Sequence, residues 1–281
     1  MPQCFTLHTH TLGCDGKNTI AEMVARATEI GMTAIGISNH FIVHPRIQES
    51  NFYPYSVRGG YNHIYCSSFL EILTRFVPIF DELEQVAAKS SIRVLRGFEV
   101  DWFPDPNWQR EFAQAMRILR PDYLIGASHF VEVNGIPNNV HDIAHADRST
   151  QQEMLTQYWN KICAASQSGL FTFMAHLDLP RKVGLGTDET WMETERQAIA
   201  QIASHGTPIE INTGLYPEPY PSRRILEHIA AHNIPVLISD DAHNVDQIGR
   251  HFADAERLIG EVGIKNRISL QKLLDFSNKS L

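Results

Sequence analysis

The sequence predicts an α/β fold, seven βα units arranged as a barrel in a single domain, and three observations predict it. Short apolar, β-branched runs alternate with amphipathic segments from one end of the chain to the other, as in a parallel sheet with crossover helices. A length of 281 residues suits one barrel, residues 1–281, and 43% apolar with 20% charged residues can bury a large core. No repeat, low-complexity tract or shift of composition marks a second domain.

The strands are expected near Cys4–Thr9, Thr33–Asn39, Ile92–Val100, Tyr123–Ser128, Leu170–Ala175, Thr207–Thr213 and Ile234–Ser239. The segment Thr19–Gly31 places Ile20, Met23, Val24, Ala27 and Ile30 on one helical face, with Gly31 as its C-terminal stop. Further helices are expected over Ser68–Lys89, Asn107–Arg120, Gln151–Ser166, Glu193–Gly206 and Ser222–Asn233, and a last one near Val245–Val262. The stretch from His44 to about Cys66, rich in Tyr, Asn, Pro and Gly, is expected as a long loop overhanging the barrel mouth.

A net charge of -8 argues against nucleic-acid or anionic-membrane partners, which need a basic surface. The opening MPQCFTLHTHTLGCDG lacks the basic-then-apolar form of a targeting segment, and no stretch approaches the length of a membrane span. Cys4, Cys14, Cys66 and Cys163 are scattered and read as free thiols, so a cytoplasmic protein is expected.

Histidine is unusually frequent, at fourteen residues, and its placement carries the signal. The strand ends read His8 and His10, then His40, Glu99, His129, His176, and finally Asp241 and His243. Barrel enzymes assemble their sites at the C-terminal strand ends, so these residues should converge. Residues two apart on a strand face the same way, so His8 with His10, and Asp241 with His243, can approach one ion together. Asp15 can close a second site with His40. Glu210 and Asn212 share one side of the sixth strand and read as supporting or substrate-contacting groups.

Nitrogen and oxygen donors without thiolate suit zinc, manganese or iron. Two to three such dications would outweigh the charge of Asp15, Glu99 and Asp241, leaving a positive cup suited to a phosphate dianion. Cys14 reads as a small turn residue. Asp101 sits further out than Glu99, Asp240 points away from His243, and Trp102 and Phe130 read as rim packing. His228 and His232 read as surface residues of an outer helix.

The opening LHTHTLGCDG and the closing SDDAH, with a lone His, a Glu and two further His in order between them, resemble the polymerase and histidinol phosphatase (PHP) superfamily. GFEVDWFP, DYLIGASHFV, MAHLDLPRK and EINTGLYPEPYPSRRIL are similar to its histidinol-phosphatase branch, and the likeness spans nearly the whole chain. Two positions depart from it: Gly16 stands where many relatives have His, and Asn39 where relatives often have Asp.

The resemblance implies a distorted (β/α)7 TIM-like barrel holding three metals. His8, His10, Glu99 and Asp241 would bind the first, Asp15, His40 and His243 the second, and Glu99, His129 and His176 the third. It implies a metal-dependent phosphatase acting on a small phosphorylated metabolite, first of all L-histidinol phosphate in histidine biosynthesis. Asp241 or His243 would protonate the leaving alcohol, while Arg181, Lys182, Arg223 and Asn212 are candidates to contact substrate. Asp101, Trp102, Glu132, Tyr53 and Tyr55 have the right types to meet a cationic amine and a flat ring. Three alternatives stay open: another phosphate ester such as a nucleotide or sugar phosphate, a metal-dependent amidohydrolase, and a non-catalytic, metal-stabilised accessory module.

Overall fold

A computed structural model describes residues 2–185 and 189–277. Its strands are β1 (Phe5–Thr6), β2 (Ala34–Ile37), β3 (His40–Val43), β4 (Tyr65–Cys66), β5 (Arg93–Asp101), β6 (Tyr123–Ala127), β7 (Phe130–Val133), β8 (Ile136–Asn139), β9 (Phe173–Met174), β10 (Ile209–Asn212) and β11 (Val236–Ser239). Seven of them run parallel in the order β1-β2-β5-β6-β9-β10-β11. The two ends meet through His10 N to Ala242 O at 2.8 Å and Ala242 N to His8 O at 3.2 Å, which brings the sheet to near closure as a distorted (β/α)7 barrel. β9 is shorter than the expected Leu170–Ala175, but bonds from Thr172 N to Leu124 O and from Ala175 N to Gly126 O carry the ladder past both its ends.

Strand alternation sorts the residues into two layers. Leu95, Tyr123, Ile125, Phe173 and Leu237 pack with Phe5 and Leu7 in the lower barrel. Their neighbours Ile35, Ile37, Phe98, Leu124, Ile209, Ile211 and Ile238 belong to the larger core shared with the helices. The same parity puts Glu99, Asp101, Glu210, Asn212 and Ser239 on the inner face further along, so the interior turns from apolar to polar toward the C-terminal ends. Tyr123 crosses the interior to donate its hydroxyl to Leu7 O at 2.6 Å. A Cβ at Gly97 would lie 2.2 Å from that ring, so only glycine fits beside it.

The helices are α1 (Ile20–Glu29), α2 (Tyr53–Gly59), α3 (Phe69–Ala87), α4 (Pro106–Leu119), α5 (Val140–Ile143), α6 (Arg148–Gln167), α7 (Glu189–His205), α8 (Arg223–Ala231), α9 (Phe252–Val262) and α10 (Leu270–Ser277). α1 starts with a capping box between Thr19 and Glu22 and buries Ile20, Met23, Val24 and Ala27, while Ile30 is exposed beyond its end. Among the described residues no helix is long and apolar enough to cross a membrane.

Three expectations are corrected here, and further elements appear that no expectation covered. The stretch 44–66 is not an irregular loop: it holds two short 3-10 helices, α2 and β4, and β4 pairs with β3. The second strand continues past Asn39 as β3, because His40 and Phe41 pair with Glu99 and Val100 of β5. A hairpin, β7–β8, turns at Asn134 (φ 54°) and Gly135 (φ 70°), an Asn-Gly signal between apolar residues that sequence reading passed over. The expected helix at 245–262 is a 3-10 turn and then α9, and a further helix, α10, sends Leu273 and Leu274 into the lower barrel core.

Candidate active site

A cavity of about 450 Å³ opens at the C-terminal strand ends. Asp15, His40, His129, His176, Asp241 and His243 line one part of it; Phe52, Tyr61, Tyr65, Phe130, His141 and Tyr220 line another. The strand-end residues fall into three groups of donors. His8 Nε2 and His10 Nε2 lie 3.4 and 3.1 Å from Asp241 Oδ1, and 3.4 and 3.6 Å from Glu99 Oε2. His129 Nε2 and His176 Nε2 lie 3.4 and 2.7 Å from the other oxygen, Oε1, of Glu99. Asp15 Oδ2 lies 3.5 Å from both His40 Nε2 and His243 Nε2.

Donors of one tetrahedral zinc at about 2.0–2.1 Å stand roughly 3.3 Å apart, so most of these spacings suit a shared cation. Satisfaction points the same way. His8 Nε2, both ring nitrogens of His10, Asp15 Oδ1, His40 Nδ1 and Glu99 Oε2 are buried without a hydrogen bond. His40 Nδ1 lies only 2.6 Å from Glu99 Oε2, yet off the line of a hydrogen bond. Buried polar atoms that converge without bonding one another cost about 1–3 kcal/mol each unless something else engages them. A divalent cation does so, and the residues fit that role. His40 stands between groups, with one nitrogen toward Asp15 and the other toward Glu99.

Electrostatics follow from burial and crowding. Burial alone would raise the Glu99 carboxyl, but His40, His129 and His8 and the bond from His176 hold it well below the usual range. Burial also disfavours a charged Asp241, an effect outweighed by the charge of His8 and by His10 Nε2 at 3.1 Å. Burial, then His243 and His40, lower His10 to about 4, which leaves it neutral with lone pairs available. Burial would lower His8 too, yet Glu210, Asp241 and Glu99 together raise it well above the ordinary value.

A second layer aims these rings. Glu210 Oε2 accepts from His8 Nδ1 at 2.8 Å, and Asp101 Oδ2 accepts from His129 Nδ1 at 2.9 Å. His243 Nδ1 lies 2.8 Å from Asp241 O. In each case the bond fixes the ring and leaves Nε2 facing the other donors. Asp241 has φ 50°, and this left-handed turn at the end of β11 follows Asp240, which is held instead by Thr6 Oγ1 and Gly249 N.

A family model of the PHP domain matches residues 6–214. The chain belongs to the PHP family. A probable histidinol-phosphatase of Deinococcus radiodurans is 26% identical over 91% of this chain and 92% of its own. A probable histidinol-phosphatase of Schizosaccharomyces pombe is 21% identical over 94% of this chain and 89% of its own. A solved histidinol phosphate phosphatase of Lactococcus lactis, complexed with zinc, L-histidinol and phosphate, shares the PHP fold at a TM-score of 0.65, with 18% identity over 95% of each chain.

Of the expected substrate contacts in this PHP chain, Lys182 and Asn212 line the cavity. Arg223 does not: it is exposed at the start of α8 and pairs with Glu227 and Glu261, a correction that follows from α8 setting it beside Glu261 of α9. Arg181 is also turned away, holding Asp178, Glu218 and Pro219 O, with its guanidinium over Tyr220. Asp101 and Trp102 are buried rather than at the rim, because β5 runs on to Asp101. Glu132 pairs with His44, and Tyr53 and Tyr55 lie outside the cavity lining, where Phe52, Tyr61 and Tyr65 stand instead.

Arg250, missed in the sequence, lines the cavity and donates to Gly214 O at 2.8 Å. It follows the end of the last strand, Ser239, by eleven residues, beyond the reach of a strand-end rule. The Gly16 departure has a local cause: a Cβ there would lie 2.4 Å from His10 O, so this turn admits only glycine. Asn39 Oδ1 accepts from Thr11 N at 2.9 Å and fixes the turn after His10. Cys14 is buried, its Sγ accepting from His40 N at 3.3 Å.

Proposed function

We propose that this chain hydrolyses L-histidinol phosphate to L-histidinol and phosphate, using two to three divalent cations held by the three donor groups. The observation that carries the reading is Glu99, a fully buried carboxylate whose two oxygens face two different sets of histidines. The substrate is supported by the names of both curated relatives and by the product-like molecules in the solved neighbour.

Bound cations would supply Lewis acidity, activating water near neutral pH and neutralising charge that builds on the phosphoryl oxygens. Lys182 and Arg250, both at the cavity wall, add positive charge for the phosphate. Asn212 Nδ2 donates to Glu210 Oε1 at 2.8 Å, and its Oδ1 accepts from Gly214 N, so it shapes the wall beside Asp241. Asp241 is held ionised and does not supply the proton to the leaving alcohol. His243 Nε2 faces Asp15 Oδ2 at 3.5 Å, so a cation held there would occupy the nitrogen that could otherwise carry that proton.

The rest of the cavity suits a flat leaving group. Phe52, Tyr61, Tyr65, Phe130 and Tyr220 offer aromatic faces, and Asn139, His141 and Gln247 offer polar edges. Among the described residues the only carboxylates lining it are Asp15 and Asp241. The amine of the substrate therefore meets aromatic faces rather than a carboxylate outside the donor groups.

The test is kcat/KM of the zinc-loaded protein for L-histidinol phosphate beside p-nitrophenyl phosphate and a sugar phosphate. A preference of at least about tenfold is expected from a cavity that binds the leaving group. A ratio near one rejects the substrate, and no turnover of any ester rejects the hydrolase.

A further inference from the structure

We infer that Lys161 is a positioning residue for His129, acting through the buried carboxylate of Asp101. The role rests on the reading of His129 as a cation ligand, and the experiment below separates the two.

Lys161 lies in the middle of α6 among the buried residues Tyr158, Trp159, Ile162 and Ala165. Its side chain is 7% exposed. Nζ donates to Asp101 Oδ1 at 2.8 Å and to Phe130 O at 2.7 Å, and stands 4.1 Å from the centre of the Phe103 ring. An ammonium in a helix core is costly, and an apolar side chain of the same length would fill this position without that cost. The charge makes physical sense only with its partner. Asp101 is fully buried on β5, two residues beyond Glu99.

The two oxygens of Asp101 divide the work. Oδ1 takes the ammonium, while Oδ2 takes the ring at 2.9 Å and lies 3.1 Å from the main-chain nitrogen of His129. With Oδ1 occupied, the carboxylate cannot rotate away, and the ring is held with its hydrogen on Nδ1. Nε2 then points, with its lone pair, to the side of Glu99 Oε1, 3.4 Å distant. Lys161 also grips the chain directly after His129 through Phe130 O, so both the ring and its main chain are fixed from α6. Nothing in the sequence marks Lys161, which falls at a helix-interior position far from every strand end.

The experiment uses the full chain labelled with 15N-histidine and stripped of metal, with the His129 signals assigned by their loss in His129→Gln. Ring tautomers are read by long-range proton–nitrogen correlation, and zinc binding by equilibrium dialysis. The original chain should show a single Nδ1–H tautomer at His129. Lys161→Met should show mixed tautomers and bind the zinc equivalent that depends on His129 about ten- to a hundredfold more weakly, the range for loss of an outer partner.

The double variant Asp101→Asn with Lys161→Met removes both charges and keeps an amide oxygen for the ring. It should recover the single tautomer and zinc binding to within about tenfold of the original. Lys161→Met with an unchanged tautomer and unchanged zinc binding overturns the inference. Should that variant not fold, a folded double variant with mixed tautomers overturns it, and one with the single tautomer supports it. If His129→Gln itself binds zinc normally, the ligand reading fails while the tautomer result still decides the link from Lys161.

Discussion

Replacing Glu210 with Gln keeps the shape at the end of β10 and removes an anion that serves four donors. Oε2 accepts from His8 Nδ1 and Ser239 Oγ, and Oε1 from His176 N and Asn212 Nδ2. An amide offers one oxygen and one NH₂; with the NH₂ toward His8 the Ser239 hydroxyl can turn to accept, so only the His8 bond is lost, whereas the other orientation loses two. A lost bond to a charged acceptor costs about 1.5–3 kcal/mol, which the better orientation sets as the expected loss. At about 2–4 °C per kcal/mol for a chain of this size class, Tm should fall by roughly 3–12 °C. His8 also loses the acceptor that fixes its hydrogen on Nδ1, so zinc should bind about ten- to a hundredfold more weakly. The assay is scanning calorimetry of the metal-free protein, since bound metal would shift Tm by mass action, followed by a zinc titration. A Tm within about 2 °C of the original, with unchanged zinc affinity, would refute the view that Glu210 organises the site.

Lys182→Ala should raise KM for phosphate esters about tenfold, the loss of one charge-assisted contact, while Arg223→Ala stays within about twofold; equal effects would contradict the placement of these two side chains. Burial, against the favourable charge of Arg224, lifts the Glu195 carboxyl to about 7. Its folded pKa lies above its unfolded value near 4.3, so its contribution to stability is greatest in acid and is lost as pH rises toward about 7. Glu195→Gln should therefore gain stability relative to the original chain between pH 5 and pH 8 in urea melts, and a relative loss over that span would sink the argument. Of the four cysteines, Cys4 is exposed while Cys14, Cys66 and Cys163 are buried, so a thiol reagent should titrate one group in the native protein and four in denaturant. Rapid native reaction of more than one would show that the core around the others opens.

Strand parity and strand ends were legible because both depend on local sequence. His8, His10, His40, Glu99, His129, His176, Asp241 and His243 could be picked out one strand at a time, and the barrel brings them together. What escaped were features that arise between elements. Arg181 and Arg223 look alike on paper, but neighbouring carboxylates on the outer helices and loops claim both. Asp101 looked peripheral because β5 was ended one residue early, whereas pairing with β6 extends it to Asp101 opposite Ala127. Lys161 contacts a residue 60 positions away, and no periodicity along α6 encodes that meeting. The aromatic wall of Phe52, Tyr61 and Tyr65 was expected at Tyr53 and Tyr55 instead, since the short helices of this insertion were not foreseen.

The most direct test of the account compares Glu99→Gln with His232→Gln, measuring bound metal by elemental analysis and phosphatase turnover on the same preparations. Glu99 has oxygens facing two donor groups, whereas His232 is an exposed residue at the end of α8. The account predicts that Glu99→Gln loses metal and turnover together while His232→Gln keeps both. If the two variants retained metal and activity alike, the assignment of the strand-end donors would be contradicted.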